Sequence, residues 1–294
     1  MTDPTAESTG SEKPLDIREL ADDPAAYAAE LDRRWGGLLS YRYLGRRYAS
    51  MDLGPVDDTV AVRHDMRDPS GGLLLSVLGV CSPEGGLMND LEAVPNPVIH
   101  HCQILDPGVD VARFEVRSEG LARGRRMAYS RSTIVDANHP ERVLATTEGQ
   151  GVSIGVPPDG LGRMAVEPIE VIDSPDLSPL WQVFGAERVA SGHWRLPPLT
   201  SSVASPDAAL HIGPQFVALE AAARDTAAAQ IGVDTVQGVS SHVMFLARGK
   251  VGPFRISTAV VGGSAPIGVR ADIFDDGAQA KLITSASYLF RPSG

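Results

Sequence analysis

Two stretches decide the fold: GGLLLSVLGVC (71–81) and HIGPQFVALEAAARDTAAAQ (211–230). Each opens at a glycine-containing turn and continues as an apolar helix. Pro214 suits a first helical turn, and Gly232 suits the position just past a last one. Strand patterns follow both helices. After the first come VIHHCQIL (98–105), ARFEVRSEGL (112–121), RMAYSRSTIVD (126–136) and RVLATTEGQGV (142–152). After the second come SSHVMFLA (240–247), FRISTAVVGG (254–263), IGVRADIFDD (267–276) and AKLITSASYLF (280–290). One helix followed by an antiparallel meander predicts an α+β layout, and a helix apolar on most sides predicts a sheet that wraps it.

The two stretches are copies. At an offset of 141, Gly72 falls on Gly213, Leu78 on Leu219, His101 on His242, Leu105 on Leu246 and Gly108 on Gly249. Small gaps carry the match on, from Phe114 with Phe254 to Arg131 with Arg270, Asp136 with Asp275 and Thr146 with Thr284. Chance matches would not keep the order of elements, so an internal duplication is expected.

The flanks bound the domains. Residues 1–14 are polar and are expected to form a disordered tail. Residues 15–35 read as two short helices separated at Pro24. The expected division is a tail and helical segment over 1–35, an N-terminal repeat over 36–156, a linker over 157–200 and a C-terminal repeat over 201–294. The first strand of the second repeat is expected within 166–175, and a short helix near SPLWQVFG.

Composition excludes several functions. The 294 residues carry a net charge of −11, against the clustered Lys and Arg that phosphate binding needs. No apolar run approaches the roughly 20 residues of a membrane span. The N-terminus has no basic and apolar signal pattern, so a cytoplasmic location is expected. Cys81 and Cys102 are too few for a disulfide framework or a zinc site, so no metal is expected.

A helix wrapped by an antiparallel sheet, twice in one chain, resembles the double hotdog fold of acyl-CoA thioesterases. The resemblance covers about 36–156 and 166–292. VIHHCQILDPGVDVARFEVRSEGLARGRRMAYSRSTIV is similar to the N-terminal half of the thioesterase II family, and SSHVMFLARG with GVRADIFDDGAQAKLITSASYLFR is similar to its C-terminal half. The resemblance implies hydrolysis of an acyl thioester, with an acyl-CoA or acyl-carrier thioester as partner. It implies no cofactor beyond the coenzyme A of the substrate. Association into a homo-oligomer would use sheet edges or faces.

Single-hotdog thioesterases of the phenylacetate type carry His-Gly-Gly before the helix and an acid nine positions later. Here His211-Ile212-Gly213 stands at that place, with Glu220 nine positions after His211, while the equivalent of Glu220 in the first copy is Gly79. Thioester hydrolysis needs a base and donors for the developing oxyanion. Glu220 lies about 9 Å along its own helix from Pro214, so the donors are expected from the other helix. The reading pairs Glu220 as general base with the Gly71 and Gly72 amides, one competent site per chain. Ser70, His64, Asn89, His211, Gln215 and Ser241 are the expected substrate-binding residues. The thioesterase II family supports its acid with a Gln and a hydroxyl residue. Ala286 or Ser287 stands where the Gln would fall and Val243 where the hydroxyl would fall, with Ser240 and Ser241 close by. Glu220 also has a plainer reading, an ion pair with Arg224 one turn on.

Other motifs carry less. Gly151-Val152-Ser153-Ile154-Gly155 matches the serine-hydrolase G-x-S-x-G, but Pro157 and Pro158 follow where a helix is needed. Asn96-Pro97-Val98-Ile99-His100 resembles the hotdog hydratase core, but it leads into a strand. The leading expectation is therefore a thioesterase. The alternatives are a non-catalytic acyl-thioester or lipid-binding protein, and a hotdog hydratase or dehydratase.

Overall fold

The second helical stretch forms α5 (Ile212–Ile231), and its ends follow from local chemistry. The His211 side chain caps the start by accepting from the Gly213 amide, and Gly232 ends the helix in the left-handed region at φ 68°. Every residue from Ile212 to Glu220 is buried. Side chains such as Phe216 and Leu219 each contribute about 1.5–3 kcal/mol by leaving water. The first stretch forms a shorter helix, α3 (Leu75–Cys81), all of it buried. Gly71 and Gly72, expected in a turn at its entrance, lie in the turn leading to it; Gly71 takes φ 89°, which suits glycine.

The computed structural model describes residues 14–45, 48–50, 59–82, 95–153, 164–166, 168–189, 193–263 and 265–293. All but the last residue of the expected tail lies outside these ranges, as do Asn89 and the end of the G-x-S-x-G stretch. A 3-10 turn (Ile17–Leu20) and α1 (Pro24–Gly37) precede α2 (Leu39–Arg42). Pro24 opens α1 with Asp23 as its cap, so the break expected at Pro24 is a helix start. Ile17, Tyr27, Leu31, Trp35, Leu38 and Tyr41 make a small apolar cluster of their own.

The strands are β1 (Tyr48–Ser50), β2 (Thr59–Ala61), β3 (Pro95–Ile104), β4 (Arg113–Arg123), β5 (Met127–Asp136), β6 (Val143–Ser153) and β7 (Met164–Val166). After a short helix α4 (Leu180–Val183) come β8 (Glu187–Arg188), β9 (Trp194–Leu196), β10 (Val236–Phe245), β11 (Phe254–Gly262), β12 (Ile267–Asp275) and β13 (Lys281–Pro292). Eleven of them form one sheet in the order β2-β4-β5-β6-β3-β10-β13-β12-β11-β9-β8. The centre is the antiparallel pair β3 and β10, where His101 stands opposite His242. Outward from that seam the order is β6-β5-β4-β2 on one side and β13-β12-β11-β9 on the other. α5 packs on β11, β12 and β13, and also against α3.

The stretch expected to be a linker is partly structured. Met164–Val166 pairs with β1 in a separate two-stranded sheet, and no strand runs over the described residues of 168–175. The strand beside β11 is β9, with Leu196 opposite Phe254, just as Val60 of β2 stands opposite Phe114, and β8 lies outside β9 at the edge. Alternation of apolar Trp194 and Leu196 around Arg195 is the signal, and three residues are too few for a periodicity reading to find. The short helix expected near SPLWQVFG is α4.

Two histidines are folded into the interior. His100 is 0% exposed, with its ring edge-on to Phe216 at 5.1 Å, and burial lowers its pKa to about 4. Burial, helped by the charge of Arg248, lowers His211 to about 3. The unfolded chain takes up these protons near pH 6.5, so stability present above that pH is lost as pH falls toward the folded values. Each histidine is expected to cost about 1 kcal/mol at pH 5.5. Urea midpoints of wild type and His100→Leu, measured from pH 7 to pH 5, should show the smaller acid loss in the variant; parallel curves would contradict this.

Candidate active site

Glu220 points away from solvent and across to the other helix. It is 1% exposed. Its Oε1 accepts from the Leu75 amide at 3.1 Å, and its Oε2 accepts from the Ser76 amide at 2.7 Å. One turn along α5, Arg224 Nη2 donates to Oε1 at 2.6 Å. The first-turn amides of a helix have no intrahelical acceptor, and the helix end is partially positive. Glu220 satisfies both needs for α3. Its burial on an otherwise apolar face and its pairing with Arg224 therefore hold together.

The carboxylate reaches a cavity of about 300 Å³. Leu74, Val217, Leu180 and Trp181 give apolar wall, while Ser76, Glu220 and Arg224 bring polar atoms to it. Its walls come from α5, the start of α3, α4, Trp194 and the segment 64–69. Trp181 and Trp194 stand edge to face with centroids 5.0 Å apart, and Trp194 Nε1 donates to Asp225 at 3.3 Å. His64 also lines the cavity; its side chain is exposed and its Nδ1 is 2.9 Å from Asp173.

The Gly71 and Gly72 amides do not serve this carboxylate. Gly71 N–H donates to the Asp68 carbonyl at 2.8 Å, and Gly72 N–H donates to Asp68 Oδ1 at 3.2 Å. Ser70 gives the same oxygen both its amide, at 2.8 Å, and its hydroxyl, at 2.5 Å. An Asp that collects three donors in its own turn is the physical reason. Asp68 thus shapes the turn, and its Oδ2 lies 3.5 Å from Arg224 Nη1. Gly72 is held tight: a Cβ there would lie 2.7 Å from Gln237 Nε2.

His211 and Gln215 belong to the start of α5, away from the Glu220 carboxylate. His211 Nδ1 accepts from the Gly213 amide at 3.3 Å and from the Ser40 hydroxyl of α2 at 2.8 Å. Gln215 Nε2 donates to the Leu210 carbonyl at 2.8 Å, and its Oε1 accepts from the Thr284 hydroxyl. Both are buried and engaged in holding the helix start. Ser241 is 2% exposed on β10, between Cys102 of β3 and Tyr288 of β13. Asn89 lies outside the described residues.

Ser76 and Asp68 line the cavity without having been singled out, and Tyr288, outside its lining, feels the Glu220 charge. Ser76 and Asp68 became visible only once the turn was folded. Tyr288 follows from the alternation of β13, in which Thr284, Ala286, Tyr288 and Phe290 face inward and Ser287 faces out. Burial, and then the charge of Glu220, push the Tyr288 phenol upward. Burial and Glu220 do the same to the Cys102 thiol. Gly79, which the sequence offset of 141 pairs with Glu220, carries no charge. A Cβ on Gly79 would lie 3.1 Å from the ring of Phe216, which fills that space.

Among solved structures the fold has clear counterparts. The tesB protein of Mycobacterium avium subs paratuberculosis matches with a TM-score of 0.53 at 14% identity, over 84% of this chain and 92% of that one. The acyl-CoA thioesterase II TesB2 of Mycobacterium marinum matches at 0.51 and 14%, over 82% and 95%. An acyl-ACP thioesterase of Bacteroides thetaiotaomicron matches at 0.51 and 11%, over 83% and 98%. No protein-family model matches the chain. No curated protein matches it either. The chain has a thioesterase II-like hotdog fold. At these identities the likeness is one of fold, and fold alone does not assign chemistry.

Loss of the carboxylate should be felt by the whole fold. Glu220→Ala leaves two buried amides without an acceptor and Arg224 without its closest partner. A cost of about 3–5 kcal/mol is expected. Urea unfolding measures it; a loss below about 1 kcal/mol, the scale of an exposed pair, would contradict the geometry.

Proposed function

We propose that this protein is a double hotdog acyl thioesterase, hydrolysing an acyl-CoA or acyl-carrier thioester to a free acid and a thiol. The matching strand order on either side of the β3–β10 seam supports two tandem repeats. The observation that carries the activity is the buried Glu220 carboxylate, anchored by the other half and open to an apolar-walled cavity.

The chemistry follows from the lone pairs. A carboxylate offers about four acceptor sites. Oε1 has two donors and Oε2 has one, so Oε2 keeps a site on the Ser76 side. A water held there gives a proton to Glu220 as its oxygen attacks the thioester carbon. The tetrahedral intermediate collapses by breaking the carbon–sulfur bond, and the leaving thiolate takes the proton. The apolar wall of Leu74, Leu180, Trp181 and Val217 suits an acyl chain. No cofactor takes part in this scheme. We place the reaction in cytoplasmic lipid metabolism; among the described residues no helix is long and apolar enough to cross a membrane.

One observation favours a second reading, a non-catalytic acyl-binding protein. The amides of the α3 entrance all have partners already, which suits a structural cap. The hydratase reading draws less support, because His100 is enclosed against Phe216.

Thiol release from acyl-CoA and acyl-carrier substrates of graded length tests the proposal. Wild type should turn over, and Glu220→Gln should lower kcat about 10²–10⁴-fold. Equal, low rates in both proteins would sink the hydrolase reading, and binding without turnover would establish the second.

A further inference from the structure

A hydrolase of this geometry needs a donor for the carbonyl oxygen, and the backbone at the cavity does not offer one. Every amide from Ser70 to Ser76 has a partner. Ser70 and Gly72 donate to Asp68 Oδ1, and Gly71 to the Asp68 carbonyl. Leu73 donates to the Pro107 carbonyl and Leu74 to the Met66 carbonyl. Leu75 and Ser76 donate to Glu220. Among the cavity's other side-chain donors, the Ser76 hydroxyl and the Trp181 indole are neutral, and others are engaged. Arg67 gives its Nη atoms to the carbonyls of Gly71, Gly108 and Val111. Trp194 donates to Asp225, and His64 faces Asp173.

Arg224 differs. Its side chain is 14% exposed and lines the cavity. A guanidinium has five N–H donors. One goes to Glu220 Oε1 at 2.6 Å and one to the Val236 carbonyl at 3.3 Å, with Asp68 Oδ2 at 3.5 Å beyond. N–H groups are left over, on the cation that stands nearest the base. We propose that Arg224 is a catalytic residue that polarises the thioester carbonyl and carries the charge of the oxyanion, a role expected of helix amides. Charge-assisted donors in a site shielded from water are the strong ones. The amides instead fix the base, and Glu220 and Arg224, one turn apart on α5, put base and electrophile on one rigid element. As carbonyl and water combine, the oxygen gains negative charge beside Arg224 while the proton moves to Glu220. Collapse returns the electron pair from that oxygen to the carbonyl and expels the thiolate.

This assignment rests on the thioesterase reading, and the test separates the two. Ketone analogues of acetyl-, octanoyl- and palmitoyl-CoA, with CH2 in place of the sulfur and a 13C-labelled carbonyl, bind without being hydrolysed. Infrared difference spectra of the bound analogue should show the carbonyl stretch lowered in wild type, less so in Arg224→Lys, and unshifted in Arg224→Met. In parallel, kcat of Arg224→Met on the true thioesters should fall about 10²–10³-fold. A merely structural Arg224 would leave the stretch equally lowered in all variants that bind, and that result overturns the proposal. Absence of both turnover and analogue binding in wild type overturns the thioesterase reading, and this assignment with it.

Discussion

One carboxylate joins the two halves of this protein. α3 has only seven residues, too few to be stable alone, and its start presents amides that need an acceptor. α5 carries a buried acid that needs donors. Each deficit meets the other: Glu220 takes the Leu75 and Ser76 amides, and Arg224 balances the remaining charge. The arrangement fixes the end of one helix, the contact between helices, and the direction of the acid toward the cavity. A single buried ionic cluster is seldom a large source of stability, but it specifies register well.

The positions that the sequence offset of 141 pairs are used differently. Where the second helix has Glu220, the first has Gly79, and the Phe216 ring occupies the space beside it. The start of α5 is capped by its own His211, which Ser40 and Tyr41 of α2 enclose. The start of α3 has no such cap of its own and depends on its neighbour. One half thus presents an acid to a cavity, and the other is closed by packing. A further consequence is electrostatic: the Glu220 charge reaches Cys102 in the seam and Tyr288 on β13 and disfavours a second negative charge there.

Much of the fold was legible because its signals are long and periodic. Eight strands and the helix of 211–230 follow from alternation and helical spacing, and the offset between Glu220 and Gly79 exposed an asymmetry. The doorway was harder to read. Glycines before a helix suggest free amides, but Asp68, three residues before Gly71, collects them through a local turn that periodicity does not encode. The inward side of β13 depends on parity: of the two residues offered for the Gln position, Ala286 faces in and Ser287 faces out. β9 was too short to register, and α3 begins at Leu75, two residues into its apolar run.

The central claim is that a thioester carbonyl meets Glu220 and Arg224 in the cavity between α5, α4 and the start of α3. A crystal structure with the octanoyl-CoA ketone analogue tests it most directly. The account predicts the carbonyl carbon facing Glu220 Oε2, the carbonyl oxygen within hydrogen-bond reach of Arg224, and the chain along Leu180 and Trp181. An analogue seated elsewhere, with its carbonyl remote from both side chains, would contradict it.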